Sequence, residues 1–285
     1  MLTRTELIEA RRNAIVVSNR LIQERYFELS EIPLKTLLYT ISKIKPDDEP
    51  NKKYTLSVRE LCEVCNLKIT GTNRYKGRRG LIYAVMRELR ARHLDLYDEK
   101  GLEFNTGWFN KVKMEEDNDT VSYYFDIDLM PYLFQLKIGM GNLTITTLEI
   151  LCAMDRASSI RLYLFLRSIA GMGVRQRVML DELKDRIGMS GKYENFYDMR
   201  MRILTPAIED INLYSDLEVS YNEVKEGKKV VALDFHIKSK HTATLSQEVL
   251  SIKALNRAKR FVIGNPNRTA RQVANVKYRK RGEEQ

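Results

Sequence analysis

One stretch, residues 192–212, restricts the fold more than any other part of the chain. Placed on a helix at about 100° per residue, it puts its apolar side chains on one stripe. The stripe consists of Phe196, Met199, Ile203 and Ala207, widened by Leu204, Ile208 and Ile211. The opposite face carries Asn195, Asp198, Arg202, Thr205 and Glu209, with Arg200 at the edge of the apolar arc. The pattern predicts an amphipathic helix that buries one face.

The segments on either side of this helix complete a module. A shorter amphipathic segment at 180–187 precedes it and ends at Gly188. Two alternating runs follow at 217–224 and 230–237, and the glycine and lysines between them favour a hairpin turn. This order predicts a winged helix-turn-helix, which places its second helix in the major groove and its hairpin, or wing, along the DNA backbone. The same order occurs in protein-binding modules, so the assignment to DNA depends on the rest of the chain.

The positive charge of the chain is clustered. The 285 residues carry a formal net charge of +10. Residues 67–92 contain 8 Lys+Arg against one acidic residue, and residues 241–285 contain 10 against 3, so that the remainder is slightly acidic. Cations concentrated on an otherwise balanced protein indicate a polyanionic partner.

The first half of the chain predicts a second copy of the module. Within 71–93, Ile82, Val85, Met86 and Leu89 form a helical stripe, and a positive face with one aromatic residue lies on another side. That face consists of Lys76, Arg78, Arg79, Tyr83, Arg87 and Arg90, with Arg74 just before it. A short helix at 58–67 precedes it, where Ser57 and Glu60 form a capping box. Runs at 95–98, 102–112 and 121–127 predict the strands of the first wing.

The remaining segments predict mainly helices. Residues 3–27 predict one long helix whose isoleucines recur every seven residues, either packing on its own domain or forming a dimer contact. Further helices are expected at 31–44, 130–136, 144–153 and 158–169, with a hinge at 139–142. The predicted fold class is α+β, with two tandem winged helix-turn-helix domains, mostly helical with small antiparallel wings. The predicted domains are 1–141, which contacts the DNA backbone and could dimerise, 142–240, which reads the major groove, and 241–285, a basic tail with one helix at its start.

The residue pattern argues against catalysis and metal binding. Cys62 and Cys65 have no second Cys or His pair at ligand spacing, so core packing is expected rather than zinc. The three histidines are far apart, the chain lacks a phosphate-binding loop motif, and no known catalytic spacing is present. We expect neither cofactor nor metal. Three cysteines, without a signal peptide or an apolar run of membrane-spanning length, suggest the reducing cytoplasm.

The chain resembles the Rep initiator proteins of iteron-containing bacterial plasmids, which are built of two winged-helix domains. Three passages carry the resemblance: Val-Val-Ser-Asn-Arg-Leu-Ile at 16–22, Ser-Ser-Ile-Arg-Leu-Tyr at 158–163, and Arg-Ile-Leu-x-Pro-Ala-Ile-x-x-Ile-Asn at 202–212, which continues into 216–221 and 227–230. Met199 departs from the family pattern, which has an aromatic there. The resemblance implies binding to direct repeats (iterons) at a plasmid origin, local melting, recruitment of the host initiator and replicative helicase, a monomer–dimer equilibrium, and repression of the protein's own gene by the dimer.

These observations leave two functions to compare, a replication initiator and a transcriptional regulator with the same modules. In either case the first domain should hold phosphates through its positive face, and the second should read bases, because Arg suits guanine and Asn suits adenine. An alternative for Arg202 is an ion pair with Asp198 or Glu209 at helical spacing. The candidate DNA-binding residues of the second domain are Lys192, Asn195, Asp198, Arg200, Arg202, Lys228 and Lys229.

Overall fold

The computed structural model describes residues 15–23, 28–45, 48–67, 77–97, 101–117, 119–133 and 143–240. All of them belong to one compact unit. Three predicted segments lie outside the described residues: the basic tail, the start of the 3–27 helix and the hinge. We keep the names first module for residues 1–141 and second module for residues 142–240. In the described part of the chain, no helix has the length and apolar character needed to cross a membrane.

The helices occur mostly where their apolar periodicity predicts them. In chain order they are α1 Asn19–Gln23, α2 Glu31–Ser42, α3 Val58–Val64, α4 Arg78–Ala91, α5 Met130–Leu133, α6 Leu148–Ala153, α7 Ala157–Ile169, α8 Leu180–Arg186, α9 Phe196–Met199 and α10 Thr205–Tyr214. A π-helical turn, Arg200–Leu204, joins α9 to α10, so residues 196–214 form one continuous helical segment, the 196–214 helix.

Within the described ranges, the strands form four small antiparallel sheets. They are β1 Ile15–Ser18, β2 Tyr54–Ser57, β3 His93–Tyr97, β4 Glu103–Gly107, β5 Phe109–Met114, β6 Thr120–Phe125, β7 Leu143–Thr146, β8 Arg175–Met179, β9 Leu217–Glu226 and β10 Lys229–Ser239. The first module contains the sheet β2-β6-β5 and the hairpin β3-β4, and the second contains the sheet β8-β10-β9. The fourth sheet, β1-β7, has one strand from each module.

The first module packs its helices on an aromatic core. Ile82, Val85, Met86 and Leu89 of α4 are all buried, as the helical stripe predicts. On the sheet, Tyr54, Phe109, Tyr123 and Phe125 stack or meet edge to face with ring centroids 5.3–5.6 Å apart. These rings bury a large apolar area and fix the sheet against the helices.

The cap of α3 has the N-cap serine that the sequence predicts but not the complete capping box. The Ser57 hydroxyl accepts a hydrogen bond from the Glu60 backbone N–H, with 3.1 Å between the two atoms. The Glu60 carboxylate accepts a hydrogen bond from Lys43 at 2.9 Å instead of completing the capping box. That hydrogen bond holds the pKa of Glu60 below its ordinary value.

The prediction of one long helix at 3–27 is wrong for residues 15–18, which form β1. Ile15, Val16 and Val17 are β-branched and buried, and such residues favour strands. Residues 143–146, which the sequence predicts as mostly helical, form the partner strand β7, with Ile15 opposite Thr146. The pairing decides both assignments, because each strand satisfies the backbone groups of the other.

Polar side chains fix the same contact between the modules. Asn19 is buried, donates from Nδ2 to the Ser168 carbonyl at 3.0 Å, and accepts at Oδ1 from the Thr144 hydroxyl at 2.7 Å. The thiols of Cys65 and Cys152, one from each module, lie with their sulfurs 3.1 Å apart. All three cysteines are buried, as expected for core packing.

Two further differences concern strands. The predicted strand at 102–112 is two strands, β4 and β5, which meet at the fully buried Trp108. The strand β8 was not predicted, because its sequence, Arg-Gln-Arg-Val-Met, contains one buried residue, Val178. A bidentate ion pair supports β8: the Arg177 guanidinium donates to both Asp234 oxygens on β10 at 2.7 and 2.8 Å. The hydrogen bonds of Arg177 hold the pKa of Asp234 below its ordinary value.

The π-helical turn has a sequence cause. Pro206 follows it, lacks a backbone N–H, and would clash with the carbonyl of Arg202 in a regular α-helix. The chain widens there, and the Thr205 N–H donates to the Arg200 carbonyl five residues back. The amphipathic pattern survives the widening, since Met199, Leu204, Ala207 and Ile211 are fully buried.

The turn after α8 gives a test of this packing. Gly188 has φ +69, and a Cβ there would overlap the Arg161 guanidinium and lie 2.9 Å from Cγ of Glu28. Gly191 has φ +67 and nothing within 4 Å of such a Cβ. We expect Gly191→Ala to cost roughly 1–2 kcal/mol from the left-handed backbone alone. Gly188→Ala should cost about 1–3 kcal/mol more, because Arg161 and Glu28 must move.

The measurement is urea-induced unfolding of the full chain, followed by circular dichroism, for the wild type and both variants. Equal destabilisation by the two alanines would show that the contact of Gly188 with Arg161 does not contribute to stability.

Candidate nucleic-acid interface

The 196–214 helix begins at a capped turn. Asn195 is its N-cap, and Oδ1 of Asn195 accepts from the Tyr197 N–H at 2.9 Å. Two residues earlier, Tyr193 has φ +56, and its carbonyl accepts from the Lys184 ammonium of α8 at 3.0 Å. The turn between the two helices is therefore fixed from both sides. The predicted contact of Asn195 with adenine would therefore compete with the helix cap for the same side chain.

Arg200 connects the helix to the wing. Its guanidinium forms an ion pair with Glu223 of β9 at 3.1 Å and lies 5.3 Å from the centroid of the Tyr197 ring. The other carboxylate oxygen of Glu223 lies 3.1 Å from the Lys225 ammonium. One carboxylate thus binds a cation from the helix and a cation from the wing. The ion pair with Glu223 occupies one guanidinium nitrogen of Arg200 and offsets part of its charge.

Arg202 differs from Arg200 in its surroundings. It lies in the π-helical turn, is exposed, and makes no ion pair with any residue that the structure describes. The alternative pairing of Arg202 with Asp198 or Glu209, both of them described residues, does not form. Its five donors are available to a partner outside the protein. Asp198, one turn before it, is partly buried.

The wing carries its cations at the tip. Glu226 pairs with Lys229, so Gly227 and Lys228 form a two-residue turn, and Gly227 has φ +60, which glycine adopts without strain. A cleft of about 670 Å³ separates this tip from the start of the helix. Both sides of the cleft carry cations, and Asn195, Tyr197, Arg200, Lys225, Lys228 and Lys229 are among the residues that line it.

The positive face of the first module is only partly described. Lys76 and Arg74 lie outside the described residues. Along α4, Arg78, Arg87 and Arg90 are exposed, whereas Arg79 and Tyr83 are partly buried. Arg90 donates from Nε to the Asn110 carbonyl of β5 at 2.9 Å, so one of its donors already holds the wing. Arg87 has no ion-pair or hydrogen-bond partner for its side chain among the described residues, and it lies at the middle of this face.

The structure brings four of the predicted residues of the second module together: Asn195, Arg200, Lys228 and Lys229 line the cleft. Lys192, Asp198 and Arg202 are not among the residues that line it, and Arg202, two residues beyond Arg200 on the same helix, lies on a different face from Arg200. The sequence reasoning missed Glu223 and Lys225, because nothing in a linear pattern shows which wing residue faces the helix. It also missed Tyr197, although an aromatic residue outside the apolar stripe of an amphipathic helix was a signal.

Two family profiles match the chain. Residues 14–167 match the family described as initiator replication protein, WH1, and residues 179–237 match the one described as initiator Rep protein, WH2. The chain belongs to the Rep initiator family. This membership confirms the predicted α+β fold with two winged-helix domains and the resemblance drawn from the three sequence passages. The Rep protein is therefore a replication initiator rather than a transcriptional regulator that happens to share the modules.

The solved structure of an initiator protein agrees with the fold. The Rep chain is similar to the crystal structure of Pi initiator protein in complex with iteron DNA, with 17% identity, 81% of this chain and 99% of that chain covered, and a TM-score of 0.65. It also matches a structure of domains 2 and 3 of RctB, with 16% identity, 77% and 82% covered, and a TM-score of 0.42. The first match supports the two-domain architecture along most of the described residues.

Glu223 offers the first test of this interface. Glu223→Gln should release Arg200 and Lys225, so the affinity for any duplex should rise and its salt dependence should steepen by about one unit. The matched control is Glu218→Gln, which makes the same charge change on an exposed residue of the same strand. The measurement is fluorescence anisotropy of a labelled random-sequence duplex at several salt concentrations. Identical behaviour of the two variants would mean that the ion pair does not restrain the cations.

Arg87 tests the first module. Arg87→Ala should weaken binding to all duplexes by a similar factor and make the salt slope shallower by about one unit, because a phosphate contact releases counterions without reading sequence. The comparison needs one specific and one random duplex in the same titrations. A changed base preference with an unchanged salt slope would contradict the assignment of this face to phosphates.

Proposed function

We propose that this Rep protein binds double-stranded DNA at direct repeats (iterons) of a plasmid origin, promotes local melting there, and recruits the host initiator and replicative helicase. The observation that carries the proposal is the surface of the second module. A cluster of cations lines the cleft between the helix and the wing, and Arg202 of the same helix is exposed and has no ion pair among the described residues. The complex of Pi initiator protein with iteron DNA supports the choice of target.

The cleft suits a duplex whose backbone passes between helix and wing. Lys228 and Lys229 at the tip are exposed and have no acidic partner among the described residues, which fits phosphate contacts. Arg202 projects from the helix where a major groove would lie, and arginine can donate two hydrogen bonds to guanine O6 and N7. Lys192, exposed in the turn before the helix, adds a cation on the approach to the groove.

Two reading modules in one chain fit a long asymmetric site. We propose that residues 1–141 hold the backbone through the positive face of α4, that 142–240 read the bases, and that 241–285 add non-specific attraction. A chain with two modules can follow two turns of one duplex, and linkage raises its affinity above that of either part. The modules are joined by β1-β7 and by Asn19, so we expect their spacing to be set by packing rather than by a hinge.

The remaining parts of the proposal follow from the family resemblance. We propose a monomer–dimer equilibrium, repression of the gene by the dimer, action in the bacterial cytoplasm, and a role carried out by binding, without catalysis by the Rep protein itself. The described residues contain no group of three or more His, Cys, Asp or Glu side chains arranged for a metal ion.

Arg202 tests the base-reading role. Arg202→Ala should cost about 1–3 kcal/mol of binding to a specific duplex and relax the preference at one base position. The control is Arg175→Ala, which removes an exposed arginine from β8, near the base of the sheet and away from the wing tip. The specific duplex is first selected by the wild-type protein from a random pool, and the two variants are then compared on it and on single-base changes.

The origin function is tested in cells. The gene and its flanking DNA are placed on a plasmid as the only replicon, and transformants are counted. The wild type and Arg175→Ala should establish the plasmid, and Arg202→Ala should yield few or no transformants. Plasmid establishment by Arg202→Ala at the wild-type level would contradict the proposal that this face reads the origin.

A further inference from the structure

The outer face of the 196–214 helix carries two large apolar side chains that the protein leaves in water. Tyr197 is 56% exposed and Met201 is 49% exposed. The inner face of the same helix buries Met199, Leu204 and Ala207 completely. Tyr197 and Met201 are four residues apart, so they are neighbours on one side of the helix. A paired apolar surface of this kind is typical of a contact with a partner.

The charges around the pair indicate what that partner is. Arg202 follows Met201 directly and is exposed without an ion pair among the described residues. The Arg200 guanidinium lies 5.3 Å from the centroid of the Tyr197 ring, and the lysines of the wing tip line the same cleft as Tyr197. An apolar pair bordered by cations is complementary to the major groove, where phosphates flank the base edges.

The major groove offers one apolar group, the C5 methyl of thymine. Met201 is long and flexible, so its thioether end can follow the position of a methyl group. The Tyr197 ring is held at the start of the helix, where groove-binding helices contact base edges. The Arg200–Glu223 ion pair keeps a guanidinium over that ring, which restricts how the ring can turn.

We propose that Tyr197 and Met201 read thymine methyl groups, so that the second module selects its site by apolar contacts as well as by the hydrogen bonds of Arg202. This inference rests on the proposed function, because it assigns a further specificity determinant to the same helix. Tyr197 and Met201 were absent from the candidate residues drawn from the sequence. The pair lies one helical turn apart, about 6 Å along the axis, which is close to two base-pair steps.

The test removes methyl groups from the DNA. The full-length protein first selects a duplex from a random pool, and each thymine of that duplex is then replaced in turn by deoxyuridine, which lacks only the C5 methyl. We expect one or two positions at which the replacement lowers the affinity about fourfold, the factor that corresponds to one buried CH₂-sized group. Met201→Ala should abolish the effect at one of these positions, and Tyr197→Ala should abolish it at the other if there are two.

The matched control is Leu213→Ala, which truncates a 46% exposed apolar residue of the same helix, further along towards its end. This variant should keep every deoxyuridine effect of the wild type. Circular dichroism spectra check that the variants are folded, and folding is expected because both side chains of the pair are exposed. The measured quantity is the ratio of the affinities of one protein for two duplexes. A small loss of protein stability affects both affinities equally and does not change this ratio.

Three outcomes would overturn the inference. If the wild-type protein binds thymine and deoxyuridine duplexes equally, Tyr197 and Met201 contact another partner. If the alanine variants keep the full deoxyuridine effect, other residues make the methyl contacts. In both cases sequence-specific binding, and with it the proposed function, would stand. A random pool that yields no enriched sequence would contradict the proposed function itself and the inference that rests on it.

Discussion

The buried amide of Asn19 ties α1 to β7 and α7. It bridges the Thr144 hydroxyl on β7 and the Ser168 carbonyl near the end of α7. With the boundary that the sequence predicts, after residue 141, a side chain of the first module thus satisfies polar groups of the second. A buried polar group without its partner costs about 1–3 kcal/mol, and loss of this amide would leave two such groups. The β1-β7 ladder, which pairs four residues of each strand, reinforces the same contact.

The helix α7, which carries Ser168 near its end, also holds other elements of the second module in place. The helix is buried along most of its length, and its side chains hold the DNA-facing elements from behind. Ser159 and Arg156 both donate to Asp210 of α10, at 2.6 and 2.8 Å, and Tyr163 donates to Asp216, just before β9, at 2.8 Å. Burial raises the pKa of Tyr163 above its ordinary value. The 196–214 helix and the wing are thus fixed to the part of the chain that Asn19 holds.

Much of this architecture could be predicted from the sequence, because amphipathic stripes determine which face is buried. The stripe of α4, the stripe of the 196–214 helix and the hairpin at Gly227 all occur as predicted. The strand β1 could not be predicted in this way, since the repeat of isoleucines every seven residues also fits a helix and its partner β7 is more than 100 residues away. A local pattern contains no information about so distant a partner.

The candidate site shows the same division. The cations at the helix and at the wing tip could be identified from the sequence, because clustered charge is visible along the chain. The neutralisation of Arg200 by Glu223 could not, since that ion pair joins residues 23 positions apart in sequence across a fold that had first to be known. Arg200 and Arg202 look equivalent in the sequence, whereas the π-helical turn and the wing leave the first restrained and the second without an ion pair among the described residues. The exposure of Tyr197 and Met201 could be recognised only after the structure had shown which face of the helix is buried.

We propose that the Asn19 contact makes residues 1–141 and 142–240, the modules that the sequence predicts, act as one DNA-binding body. Hydroxyl-radical footprinting of the intact protein on its selected duplex tests this most directly, with Asn19→Ala beside the wild type. We expect two protected segments on one face of the duplex, about 34 Å apart, and in Asn19→Ala weaker protection of only the segment held by the base-reading second module. A single protected segment in the wild type, or an unchanged pair of segments in Asn19→Ala, would contradict it.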